Sequence, residues 1–239
     1  MEDIARQCQA AVVFPCYTPA PDKQFPFQFE QTYQVLDHFA RNGPAHGIRS
    51  ESFALAGDSV GGGSTIHVVF LAGVTNICSG HMSIALMQMA IERNLPAKIG
   101  QMILFNPVTD TQMKMESYET FKDGPFLSSA SMDWMIDAFL PNESDRKTAL
   151  ASPLSCASDE VLSKFAPTTA FVGDVDPLVD EGKAFGRRLQ KLGVDSAIIQ
   201  GDGQMHAFMA VVALRQSPTA RAMIEFACLK MRKAFHPVI

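Results

Sequence analysis

The run Phe53-Ala-Leu-Ala-Gly-Asp-Ser-Val-Gly-Gly62 constrains this chain more than any other, because it sets a serine between two glycines at the end of an apolar strand. The pattern is G-x-S-x-G, which marks a strand turning sharply into a helix. Such a turn forces the serine into a cramped backbone conformation. Gly57 and Gly61 flank Ser59 because side chains there would collide with the turn. The Ser59 hydroxyl is then held out of the sheet, within reach of a base. Alone, the five-residue pattern is a weak signal, so the rest of the chain has to supply that base.

Two later segments do. Thr168-Thr-Ala-Phe-Val-Gly-Asp-Val-Asp-Pro-Leu178 is an apolar, β-branched run ending in carboxylates. Asp176 falls just past its end, and Asp174 and Asp180 are near enough to compete for the same role. Ser196-Ala-Ile-Ile-Gln-Gly201 reads as a further short strand, with His206 in the loop beyond it and a long apolar helix after that. The order is therefore Ser, Asp, His. A neutral serine is a poor nucleophile. It needs an imidazole to take its proton and a carboxylate to fix the tautomer and stabilise the imidazolium. Ser59, Asp176 and His206 are expected to converge at the carboxyl ends of the strands.

Around these segments strands and helices alternate, which predicts an α/β fold with a mostly parallel sheet flanked by helices, built as one domain over residues 1–239. Phe29, Tyr33, Leu36 and Ala40 follow helical spacing until Asn42-Gly-Pro44 ends the helix. Lys98 to Asn106 reads as a strand, and Gly182 to Leu192 and His206 to Ala234 contain helices. The stretch at about 107–167 breaks the rhythm as a helical insertion, with Met132-Asp-Trp-Met-Ile-Asp-Ala-Phe-Leu140 as an amphipathic helix. Its Trp134, Met135 and Phe139 either line an acyl or alcohol pocket or pack on the sheet.

The elbow Gly-Asp-Ser-Val-Gly-Gly, the run Asp176-Pro-Leu-Val-Asp-Glu-Gly182 and the turn His206-Ala-Phe208 resemble the hormone-sensitive-lipase-like branch of the α/β-hydrolase fold, a group of carboxylic ester hydrolases. Val12-Val-Phe-Pro-Cys-Tyr-Thr-Pro-Ala-Pro21, with Phe25-Pro-Phe and the helix after it, is similar to the strand and helix that precede the elbow in that branch. Together these cover nearly the whole chain. The resemblance implies a carboxylesterase or lipase-like serine hydrolase acting on a small-molecule ester. It makes Ser59 the nucleophile, His206 the base and Asp176, ahead of Asp174 and Asp180, the orienting carboxylate. The Val60 N–H would be an oxyanion donor, and no cofactor or metal is implied. Asp58 is expected to support the turn.

The sequence departs from the branch twice. Nothing like the branch's upstream His-Gly-Gly-Gly segment, which supplies oxyanion-hole N–H groups, precedes Ala11, so the chain reads as truncated inside the fold. Losing one such donor lowers rates by about 100- to 1000-fold. Secondly, His81 to Arg93 would serve as the helix that follows the elbow, yet Gly63 to Gly80 lies between them, glycine-rich and β-branched. Removing those residues joins Gly62 to His81, so 63–80 is expected to be an insertion or translated intron, forming a loop or poorly packed excursion. The competing reading is a non-catalytic relative, either a small-molecule receptor or a defective gene product. Some plant hormone receptors resemble this branch, but have lost parts of the triad that are present here.

A net charge of −5 without a basic stripe leaves no electrostatic footprint for nucleic acid. Cys8, Cys16, Cys78, Cys156 and Cys228 are an odd number at wide spacings with no CxxC pair, which suggests free thiols. His38, His46, His67, His81 and His236 show no metal-ligand spacing. Gly61-Gly-Gly63 is followed by no Gly-Lys-[Ser/Thr], which argues against a phosphate loop. Val68 to Val74 is too short to span a bilayer, and no charged segment followed by an apolar one opens the chain, so a cytoplasmic location is expected. Oligomeric state is left open.

Overall fold

Strand β1 (Ser52–Asp58) is buried along nearly its full length, with Phe53, Leu55 and both alanines between and after them shielded from solvent. That pattern, apolar on both faces, belongs to a strand inside a parallel sheet covered on each side. The computed structural model describes residues 2–59, 74–78 and 80–235. In it β1 lies between β2 (Val74–Cys78) and β3 (Lys98–Phe105), and the sheet continues through β4 (Thr168–Val175) to β5 (Ser196–Met205). The order is β2-β1-β3-β4-β5, and every pairing is parallel.

Parallel neighbours require crossovers, and helices supply them. α1 (Glu2–Cys8) and α2 (Phe27–Asn42) precede the sheet. α3 (Gly80–Glu92) joins β2 to β3 and is buried from Gly80 to Ala90, as a helix enclosed on all sides must be. Between β3 and β4 come α4 (Glu116–Thr120), α5 (Ser129–Phe139) and the single-turn helices α6 (Glu143–Arg146), α7 (Pro153–Cys156) and α8 (Asp159–Leu162). α9 (Val179–Lys191) joins β4 to β5, and α10 (Pro218–Phe235) closes the fold against α1 and the sheet. No helix among the described residues is long and apolar enough to cross a membrane.

Phe105 and Phe171 are paired across β3 and β4 with ring centroids 4.9 Å apart, and Phe208 meets Phe105 edge-on at 6.0 Å. This aromatic stack ties the segment after β5 to the sheet centre. A second cluster, Val108, Tyr118, Leu127, Met132, Ile136 and Leu178, lies beneath the inserted helices. Met135 packs on this cluster, and Phe139 meets Phe25 and Phe29 edge-on, so both serve packing; Trp134 is exposed.

Two sequence expectations are amended. Residues 74–78 form a strand in register with Phe53–Gly57, where a loop was expected, because β1 offers them an unpaired edge. The rest of 63–80, apart from Gly80, lies outside the described residues. β5 runs on to Met205, past the glycines that suggested a loop from Gly201. Gly173 permits this: a Cβ there would lie 2.4 Å from the Gln204 carbonyl oxygen. As expected, His206 stands in a loop, and turns with a short 3-10 segment (Leu214–Gln216) lead to the last helix at Pro218.

Candidate active site

Ser59 follows β1 directly and adopts φ +63°, a left-handed conformation unusual for a residue with a side chain. Neighbouring backbone holds it there. Its N–H donates to the Phe105 carbonyl at 2.9 Å, and its own carbonyl accepts from the His81 N–H at 3.3 Å. Close approach of α3 depends on Gly80, where a Cβ would lie 2.7 Å from the Pro107 Cβ. The first turn of α3 therefore sits against Ser59, presenting the positive end of the helix dipole.

Asp176 lies one residue beyond β4 and His206 one residue beyond β5, so adjacent parallel strands deliver both to the same end of the sheet. His206 Nε2 is 2.6 Å from Ser59 Oγ, and His206 Nδ1 is 2.7 Å from Asp176 Oδ2. All three residues are buried. The other Asp176 oxygen accepts the Leu178 N–H at 2.9 Å, which fixes the carboxylate at the start of α9. Asp174 instead accepts the Gln204 N–H, and Asp180 the Ser117 N–H, so both competing carboxylates are committed to backbone. Val60 lies outside the described residues.

Burial disfavours the imidazolium form of His206, but the charge and hydrogen bond of Asp176, joined by the charge of Asp58, outweigh it and raise its pKa above that of a free imidazole. Asp58, directly before Ser59, is fully buried, and neither of its oxygens has a hydrogen-bond partner among the described residues. Burial pushes its pKa up to about 7, with the Asp176 charge adding to that and His206 opposing it. The contribution of Asp58 to His206 is therefore present only once Asp58 ionises. His81 is held neutral by burial, with its pKa near 4, while its Nε2 bonds the Leu150 carbonyl at 2.8 Å.

Glu181 is a site feature that the sequence reading passed over, although it stands in the Asp176-to-Gly182 run. Its carboxyl is fully buried, accepts the Thr109 N–H at 2.6 Å and the Tyr118 hydroxyl at 3.0 Å, and so ties the loop after β3 and α4 to α9. Among the described residues no group of three or more side chains is placed to hold a metal; His38 and His46 meet Nε2 to Nε2 at 3.1 Å, and the His38 Nδ1 lies 3.4 Å from the Asn42 amide nitrogen. Cys8, Cys16 and Cys156 are unoxidised thiols, and the Cys8 thiol donates to the Cys228 carbonyl at 3.7 Å.

The family model for the alpha/beta hydrolase fold matches residues 1–210. The chain belongs to the α/β-hydrolase fold family. Among its relatives are an esterase of Gibberella moniliformis, 55% identical over 98% of this chain and 68% of its own length, and one of Fusarium pseudograminearum, 54% identical over 98% and 67%. This α/β-hydrolase thus spans about two thirds of the length of those relatives. Of solved structures, carboxyl esterase 2 from the mycorrhizal fungus Tuber melanosporum superposes with a TM-score of 0.88 at 32% identity, covering 98% of this chain and 71% of that one. A thermostable esterase from Pseudomonas putida gives 0.82 at 28% identity, covering 93% and 63%. The hormone-sensitive-lipase-like resemblance and the fold class agree with these matches.

Proposed function

We propose that this α/β-hydrolase, a carboxylesterase-type enzyme, cleaves small-molecule carboxylic esters through an acyl-enzyme formed on Ser59. The observation that carries the proposal is the unbroken chain Ser59 Oγ, His206 Nε2, His206 Nδ1, Asp176 Oδ2, with links of 2.6 and 2.7 Å. The esterase relatives support the substrate class.

In the first half-reaction Ser59 Oγ attacks the ester carbonyl carbon as His206 Nε2 takes its proton. Asp176 keeps the Nδ1–H directed away from the serine and stabilises the positive ring. The tetrahedral oxyanion collapses, the bond to the alcohol oxygen breaks, and His206 returns the proton to that oxygen. Water, deprotonated by the same Nε2, then attacks the acyl carbon, and the bond to Ser59 Oγ breaks as Nε2 returns the proton to that oxygen and the acid leaves. The elbow motif assigns the Val60 N–H as an oxyanion donor, and the first turn of α3 faces the developing negative charge.

The test is hydrolysis of short p-nitrophenyl esters, together with mass spectrometry after exposure to a fluorophosphonate. The wild type is expected to hydrolyse these esters and to gain one phosphonyl group at Ser59. Ser59→Ala should do neither. Labelling at another residue, or equal hydrolysis by Ser59→Ala, would remove the serine from its assigned role.

A further inference from the structure

We propose that Phe126 is a specificity-determining residue, whose ring forms the wall on which the alcohol half of the ester lies and which favours arylmethyl alcohols over small alkyl ones. This rests on the serine mechanism proposed above. One exposed aromatic side chain would mean little by itself. Three features set Phe126 apart. It is 64% exposed, yet its ring faces the His206 imidazole, with centroids 6.4 Å apart and planes 26° from parallel. Its backbone is strained: φ is +68°, and the Leu127 N–H bonds the Pro125 carbonyl at 2.9 Å, the pattern of the rarer γ-turn with positive φ at its centre. An aromatic residue in that conformation is an outlier, and such strain persists only where the surroundings impose it.

The surroundings do impose it. Ser129 N–H bonds the Lys122 carbonyl at 2.9 Å and Gly124 N–H the Phe121 carbonyl at 3.0 Å, closing the loop at its base. Leu127, the next residue, is buried in the cluster with Tyr118, Met132 and Leu178. Phe126 is thus held at the tip of a fixed loop, its ring over the base.

The chemistry then decides which half of the ester meets this ring. The acyl carbon is bonded to Ser59 Oγ, whereas the proton on His206 Nε2 goes to the departing alcohol oxygen. The alcohol substituent therefore leaves across the imidazole, on the side that Phe126 covers. A flat substituent one carbon from that oxygen can stack on the phenyl ring in an offset arrangement, and a methyl group cannot.

The experiment uses the whole chain and two ester series: acetates of methanol, butanol and benzyl alcohol, and methyl esters of acetic, butyric and octanoic acids. Phe126→Ala is expected to lower kcat/KM for benzyl acetate about five- to tenfold, the scale of one aromatic pair, and for methyl acetate less than about twofold. Ratios within the acyl series should move by less than about twofold, and Phe126→Tyr should restore the benzyl preference. Equal losses across the alcohols, or losses that follow acyl length, would overturn the assignment. Phe126→Gly should raise the melting temperature by relieving the positive φ while losing the benzyl preference; a lower melting temperature would count against strain held for function. Binding of benzyl alcohol to Ser59→Ala, followed by NMR, separates the two proposals. A wild type inactive on every ester whose Ser59→Ala form still binds benzyl alcohol through Phe126 loses the serine mechanism alone. Unselective hydrolysis by the wild type defeats only the role of Phe126.

Discussion

The His81 N–H donates to the Ser59 carbonyl at 3.3 Å across the 21 intervening residues 60–80. In an α-helix that bond joins residues four apart. With Gly63 to Gly80 removed, His81 would be the fourth residue after Ser59, so α3 already stands where the helix of an uninterrupted elbow would begin.

Deleting residues 63–80 should therefore preserve the turn and α3, but it also removes β2, which pairs with Phe53–Gly57. The buried strand β1 would become a sheet edge, open to pairing with other chains. The deletion variant is expected to melt about 5–10 °C lower and to elute partly as oligomers, given the few kcal/mol held in such a ladder. Monomeric elution with a higher melting temperature would mean that β2 contributes no stability and that the whole segment is an excursion.

The acidic limb of the rate profile should report His206. The base must be neutral to accept the Ser59 proton, and its pKa lies above the ordinary imidazole value, so kcat/KM is expected to rise through a midpoint above about 6.5. Asp176→Asn leaves burial in place and removes the main interaction favouring imidazolium. The midpoint should then fall, and kcat should drop about 10,000-fold as the ring loses its tautomeric control. An unshifted midpoint in the variant would dissociate Asp176 from the base.

The elbow, the order Ser59, Asp176, His206 and the alternation of strands and helices were legible because each follows from local chemistry: glycines around a cramped turn, carboxylates closing an apolar run, a histidine past a strand. What was not legible depends on approach through space. The β-branched Val74–Cys78 has strand propensity, but only the open edge of β1 tells it where to pair. The extension of β5 past Gly201 required knowing that Gly173 faces Gln204. Phe126 and Glu181 carry no periodicity, and their roles follow from a ring 6.4 Å away in one case and from a loop 72 residues upstream in the other.

Asp58→Asn should stabilise the fold in a pH-dependent way. The folded-state pKa of Asp58, about 7, exceeds its unfolded value near 4, so the unfolded chain releases the proton first. The contribution of the protonated carboxyl is complete below about pH 4 and is lost as pH rises through about 7. Denaturant melts of wild type and variant should diverge across that window, by up to about 4 kcal/mol in favour of the asparagine, and run parallel above it. A difference independent of pH would mean that Asp58 has a partner supporting its charge.

Glu181 offers a test of how the sheet end is held together. Its side chain takes hydrogen bonds from Thr109 N–H, Asp110 N–H and Tyr118 hydroxyl, and it stands two residues into the helix that follows Asp176. Burial holds its pKa near 8, although those three donors oppose the rise. Glu181→Gln keeps an oxygen for the backbone donors, and its amide can donate to the Tyr118 oxygen, so stability and rate should change little. Glu181→Ala leaves three buried donors without an acceptor, at about 1–3 kcal/mol for a well-buried group, and should lower the melting temperature by roughly 6–12 °C. Because α9 also anchors Asp176 through Leu178, kcat should fall in Glu181→Ala while KM stays nearly constant. A rise in KM at unchanged kcat would place Glu181 in substrate binding and detach it from the alignment of the His206–Asp176 pair.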